Sequence, residues 1–79
     1  MNKHHDVQGL DFDDEHLYLT VDGQTYEISI AQASSRLANA THAERYLYRI
    51  APSGYGIHWF AIDEDLSING LLKLAIVKS

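Results

Sequence analysis

Apolar and polar residues alternate through the first third of the chain with the period of a β-strand. In residues 16–21, Leu17, Leu19 and Val21 fall on one side, and His16, Tyr18 and Thr20 on the other. The alternation resumes after Asp22-Gly23, with Tyr26, Ile28 and Ile30 set against Thr25, Glu27 and Ser29. Successive side chains of a strand point to opposite faces, so each run offers one face to a core and one to water. An Asp-Gly pair between two such runs predicts a tight antiparallel hairpin, because a type I′ turn needs positive φ at both central residues. Upstream, Val7, Leu10 and Phe12 predict a further strand, with Gly9 as a bulge or a point of close approach.

The pattern changes at Ala31, where alanines replace β-branched residues. Ser34 or Ser35 can cap a short helix running through Leu37 and Ala38. Thr41-His42-Ala43-Glu44 fits a capping box, so the helix either restarts at Thr41 or residues 41–44 form a single turn. Tyr46 to Ile50 is again β-like, residues 52–56 form a Pro-Gly turn, and Ile57 to Ile62 is the second arm of another hairpin. There Ile57 and Trp59 share one face, and His58 and Phe60 the other. Large apolar groups on both faces predict a central or helix-flanked strand.

Asp63, Glu64 and Asp65 lie just before the last helix, near the positive end of its dipole. Ser67 is its expected N-cap, with Leu66 and Leu71 at the positions of a hydrophobic staple. Ile68, Leu71, Leu72, Ala75 and Ile76 follow the spacing of a buried helical stripe. Leu74 and Val77 fall off it, which indicates either a surface for a partner or a terminal strand at 74–77. The expected fold is α+β: a small antiparallel sheet of two β-hairpins plus an extra strand, with a short middle helix and a C-terminal helix packed on it.

Composition narrows the function classes. Seventy-nine residues predict one domain, 1–79, with residues 1–6 as a disordered tail. No run reaches the roughly 18 apolar residues of a membrane span. The polar start does not read as a signal peptide. Cysteine is absent, which excludes disulfides and thiolate metal sites and favours a bacterial-type cytoplasm. The net charge of −5 is uneven: residues 6–27 hold seven acids and no Lys or Arg. Phosphate backbones demand clustered cations, so direct nucleic-acid binding is not expected. An acidic face suits a basic protein partner, since opposite fields speed encounter. Its plainer reading is ordinary solubility charge.

Candidate chemistry is sparse. Adjacent His4 and His5 diverge on a strand and read as solvated tail. Asp13, Asp14 and Glu15 lack the spacing of a calcium loop and read as a solvated turn. His58 and Asp63 could form an acid–base pair. With Asp65 they make the one cluster close enough in sequence for a metal. Against this, Trp59 fills a core, His58 bonds across strands, and the three acids cap a helix. Phosphate loops and nucleophile elbows are both absent. No enzyme, cofactor or metal is therefore expected. Arg36 either anchors a carboxylate of the 63–65 cluster or lies solvated on its helix.

Residues 54–72 resemble the family called domain of unknown function 2442 (DUF2442). The resemblance rests on Gly56-Ile57-His58-Trp59, Asp63-Glu64-Asp65 and Gly70-Leu71-Leu72, with Asp22-Gly23 and residues 35–41 in support. Phe60 stands where the family carries proline, which leaves room for a longer strand edge. The resemblance implies a small α+β domain of bacteria or their phages. It also implies a partner, a second short protein of the DUF4160 type, in toxin–antitoxin-like pairs. The expected function is a non-enzymatic, antitoxin-like interaction module that binds and neutralises or scaffolds a small basic protein. A phage-type acidic inhibitor, such as an anti-CRISPR or DNA mimic, is the alternative, and a small-ligand or metal-binding domain the next. Homodimerisation is a further association open to it. The interaction or motif residues are Arg36, His58, Trp59, Asp63, Glu64, Asp65 and Leu74.

Overall fold

The computed structural model describes the backbone of residues 6–78 and the side chains of residues 6–75. His4, His5 and most of the expected tail lie outside that range. Asp6 belongs to the fold: its amide donates to Asp22 Oδ1 and its carbonyl accepts from the Asp22 amide, both at 2.9 Å.

Seven strands and four short helices are described. Strands β1 (Val7–Phe12), β2 (His16–Val21) and β3 (Gln24–Ser29) lead into α1 (Ile30–Ala33), α2 (Ser35–Ala38) and α3 (His42–Arg45). Strands β4 (Tyr48–Ile50), β5 (Gly56–Trp59) and β6 (Glu64–Ser67) precede α4 (Ile68–Leu74) and β7 (Ile76–Lys78). The α+β class stands. The two hairpins fall in separate antiparallel sheets, one ordered β1-β2-β3-β7 and the other β4-β5-β6. The single-turn helices α1 to α3 carry the chain from the first sheet to the second.

Local chemistry explains the elements. Asp22 and Gly23 hold φ of 52° and 82°, as a type I′ turn requires, and pair Val21 with Gln24. The β1–β2 register slips between Val7 and Gly9, so Gly9 sits at a bulge. Ser34 caps α2 by accepting from the Leu37 amide, and Thr41 and Glu44 form a complete capping box on α3. Restarting at Thr41 is thus the observed form of the middle segment. Ser67 caps α4 by accepting from the Gly70 amide at 2.9 Å. A Cβ on Gly70 would stand 2.7 Å from that hydroxyl. Alanine there would gain about 1 kcal/mol of helix propensity and lose a cap of about the same size.

Two elements differ from expectation. Residues 64–67 form a strand where the sequence suggests a helix approach, because pairing with β5 overrides the poor strand propensity of Asp and Glu. The last helix stops at Leu74, and residues 76–78 pair with β3, which decides between the two readings of the terminus. Inward residues of both sheets, with Ile30, Leu37, Ile68 and Leu71 from the helices, make one core around Trp59, which is 0% exposed.

Candidate interaction surface

The outer face of the second sheet carries a row of polar side chains. Arg49 pairs in register with His58, and His58 with Asp65. Strand alternation puts all three on the side away from Ile57 and Trp59. The imidazole Nδ1 of His58 lies 2.9 Å from Asp65 Oδ1 across the β5–β6 pair. Arg49 is exposed, and its side chain makes no hydrogen bond or ion pair with any described residue. The row therefore runs positive, polar, negative over three strands.

Apolar groups flank it. Phe60 is 55% exposed and packs edge-on to the His58 ring, with centroids 5.2 Å apart. The Phe60 amide donates to the Leu47 carbonyl, which extends the β4–β5 ladder by one exposed apolar pair. Towards the other end, Ala51, Gly56 and Ser67 are small. Together these produce a groove of about 550 Å³ lined by Arg49, Tyr55, His58, Phe60, Asp65 and Leu66, among others. Its character is apolar with a polar stripe, the anatomy of a protein contact surface.

The remaining expected site residues scatter from this face. Trp59 is sealed in the core, its indole N–H donating to the Arg45 carbonyl at 2.9 Å. Glu64 points to the helical side. Its Oε2 accepts from the Ser34 hydroxyl at 2.6 Å, and Oε1 from the Asp65 amide at 3.0 Å. Asp63 occupies the left-handed region at φ 51°, and its backbone carbonyl accepts from Arg36 Nη1 at 2.7 Å. Arg36 thus does reach the acidic segment, through a carbonyl instead of a carboxylate. None of the three acids caps α4, a correction with a simple cause: β6 intervenes, and Ser67 holds the cap. His58 meets Asp65 instead of Asp63. Among the described residues, no three His, Asp or Glu side chains converge as metal donors. Leu74 is 39% exposed and lines a separate depression beyond β6.

The outer face of the first sheet has a different character. Asp11 pairs with Tyr18, and Tyr18 with Glu27, so this row is negative at both ends. Asp13, in the β1–β2 turn, accepts from the Tyr18 hydroxyl at 2.7 Å and from the amides of Glu15 and His16. Chiefly through the Tyr18 bond, its carboxyl is lowered to about 2. The same bond pushes the Tyr18 phenol up to about 12. Tyr46 donates to Asp11 at 2.6 Å and draws that carboxyl below its usual range. His16 Nε2 lies 3.3 Å from Glu27. Asp13 is thus bonded into the turn, whereas the sequence suggests a solvated one; the Asp14 and Glu15 side chains are exposed as expected.

Arg45 was not legible as a structural residue. Nearly buried, it donates through Nε to Leu37 O, through Nη2 to Ala38 O, and through Nη1 to Asp13 O and Asp14 O. It satisfies carbonyls at the end of α2 and fastens the acidic turn to the helices. A cation in the last turn of a boxed helix was the available signal. Two of its partners, Asp13 and Asp14, lie more than 30 residues away and had none.

No helix of the described residues is long and apolar enough to cross a membrane. No curated protein and no solved structure matches the chain. The family model for a protein of unknown function, DUF2442, matches residues 7–77. With its hairpin turn, its Gly-Ile-His-Trp strand and its acidic third arm all inside that match, the chain belongs to the DUF2442 family.

Proposed function

We propose that this protein is a non-enzymatic interaction module, antitoxin-like, that binds a small basic protein in the cytoplasm. The observation that carries the reading is the run of acids along the outer face of β1 to β3. Asp11 and Glu27 flank Tyr18 there, Asp13 to Glu15 extend it at the turn, and no Lys or Arg occurs in residues 6–27. Asp14 and Glu15 are exposed, and neither side chain is bonded to a described residue. Such a face repels anions and speeds encounter with a cationic partner. A second short protein of the DUF4160 type is the partner the family resemblance implies. The other acids are spread over the hairpin tip, the segment before β1, α3 and the second sheet, a distribution that favours this reading over a phosphate-like row mimicking DNA.

Co-expression with the product of the neighbouring gene tests the proposal. The expected result is a complex that co-elutes at low salt, weakens as salt rises, and relieves any growth defect the neighbour causes. A chain that elutes alone beside that neighbour, with no growth rescue, overturns it.

A further inference from the structure

We infer that the outer face of the three-stranded sheet binds a second copy of this chain. The face displays Arg49, His58 and Asp65 in one row across β4, β5 and β6, with opposite charges at its two ends. A two-fold axis makes residue i of one copy meet residue j of the other, and j meet i. If the axis runs between two facing sheets, parallel to β5, it reverses the row and keeps the strand direction. Arg49 then meets Asp65 of the partner subunit, Asp65 meets Arg49 of the partner subunit, and the histidines face each other at the axis. The same operation lays exposed Phe60, at the end of the central strand, on its own copy, and carries Leu47 with Arg49 to the β6 side of the partner. An axis perpendicular to β5 in that plane would set Arg49 on Arg49 and Asp65 on Asp65, which like-charge repulsion disfavours. The charge order of the row therefore selects both the occupant and the orientation.

Two observations support a copy over an unrelated partner. Among the described residues, the Arg49 guanidinium has no partner, and the carboxylate at the other end of its row, on Asp65, is 76% exposed. Asp65 contacts His58 through Oδ1 but meets no Lys or Arg among the described residues, and an identical row supplies one. The flanking apolar groups, Phe60 at 55% and Leu47 at 52% exposure, add the water-excluding component that charges alone do not provide. Three short strands present a small area, and interfaces below roughly 1,200 Å² in total belong to the weak, transient class. The dimer is accordingly concentration-dependent.

This inference stands apart from the acidic-face proposal, because it uses the opposite sheet and none of the same side chains. Sedimentation equilibrium over a concentration series tests it, with folding of each variant checked by circular dichroism. The wild-type chain is expected to move from monomer to dimer mass as concentration rises. Arg49→Glu makes both ends negative and should shift the midpoint at least tenfold upward. Combining Arg49→Asp with Asp65→Arg reverses the row, leaves it self-complementary, and should restore association. Phe60→Asp, outside the charge row, should also give monomer. A wild-type monomer at every concentration up to about 1 mM overturns the inference. So does a double variant as dissociated as Arg49→Glu alone.

Discussion

The two sheets of this small domain carry rows of the same construction and opposite logic. On the first, Asp11 and Glu27 flank Tyr18; on the second, Arg49 and Asp65 flank His58. The second row spans all three strands of its sheet and the first spans β1 to β3, with Ile76 of β7 beyond Glu27; each has an aromatic or imidazole ring at its centre. A row negative at both ends repels its own copy under any two-fold and calls for a cationic surface of another kind. A row of mixed sign matches its own inverse. The order of charges along a face thus decides who can dock on it, while the net charge of −5 decides only the long-range field.

The faces also differ in how far they are tied down. The acidic face is built into the fold by hydroxyls and by Arg45, whereas Arg49 on the mixed face is held by nothing described. Arg45→Met should therefore produce the largest effect of any change near either row. It removes four hydrogen bonds to carbonyls; Leu37 O keeps backbone donors, and those of Ala38, Asp13 and Asp14 are left part-buried. Each orphaned group costs about 1–3 kcal/mol, and the total stability of a domain this size is of order 5 kcal/mol. Urea titration should show the variant largely unfolded at 25 °C, and Arg45→Lys should recover little, since an ammonium lacks the planar fork. A midpoint close to wild type would mean the acidic turn does not depend on Arg45.

Next in size is the acidic rim. Asp14→Lys combined with Glu15→Lys should weaken the basic partner by about tenfold or more, mainly through slower association and with a reduced salt dependence. Sedimentation of the isolated chain should be unchanged. Loss of self-association in this variant would show that the two faces are coupled, against the separation drawn above.

The Asp13–Tyr18 bond predicts a pH signature confined to the first sheet. Asp13 has its carboxyl lowered from 3.8 to about 2, so its contribution is present above the ordinary value and is lost as pH falls towards 2. Tyr18 has its phenol raised from 10.0 to about 12, so its contribution is present below 10 and is lost as pH climbs towards 12. Both slopes share the Tyr18 hydrogen bond as their largest cause, with the Glu15 and His16 amides adding to the first. Tyr18→Phe should flatten them together in thermal-melt profiles, and a variant that keeps the wild-type acid slope would assign that slope to other carboxylates.

The smallest effect is expected at Asp63. Its carbonyl holds Arg36, and its φ of 51° suits glycine better than most residues. Asp63→Gly should change stability by less than about 1 kcal/mol in either direction, because strain relief and added unfolded-state entropy nearly cancel. A larger loss in urea would mean the carboxylate itself is used.

Much of this architecture was readable from local signals. Asp22-Gly23 marked its hairpin, Thr41 and Glu44 their capping box, and Ser67 its helix, because in each case donor and acceptor lie within a few residues. The burial of Trp59 and the cross-strand role of His58 followed from alternation in residues 57–60. What escaped notice depended on distance. Strand β6 hid behind two acids whose strand character comes from pairing with β5. Arg45 joins Asp13 across 32 residues, and Tyr46 joins Asp11 across 35. The mixed row itself is invisible along the chain, since its members are 9 and 7 positions apart and meet only through sheet register.

Mixing two variants offers the sharpest discrimination. Arg49→Glu leaves the second row negative at both ends, and Asp65→Arg leaves it positive at both ends. Each chain alone should sediment as a monomer at concentrations where the wild type associates, and an equimolar mixture should sediment as a heterodimer. A mixture that stays monomeric, or either variant associating alone as the wild type does, would contradict recognition through the order of charges on that face.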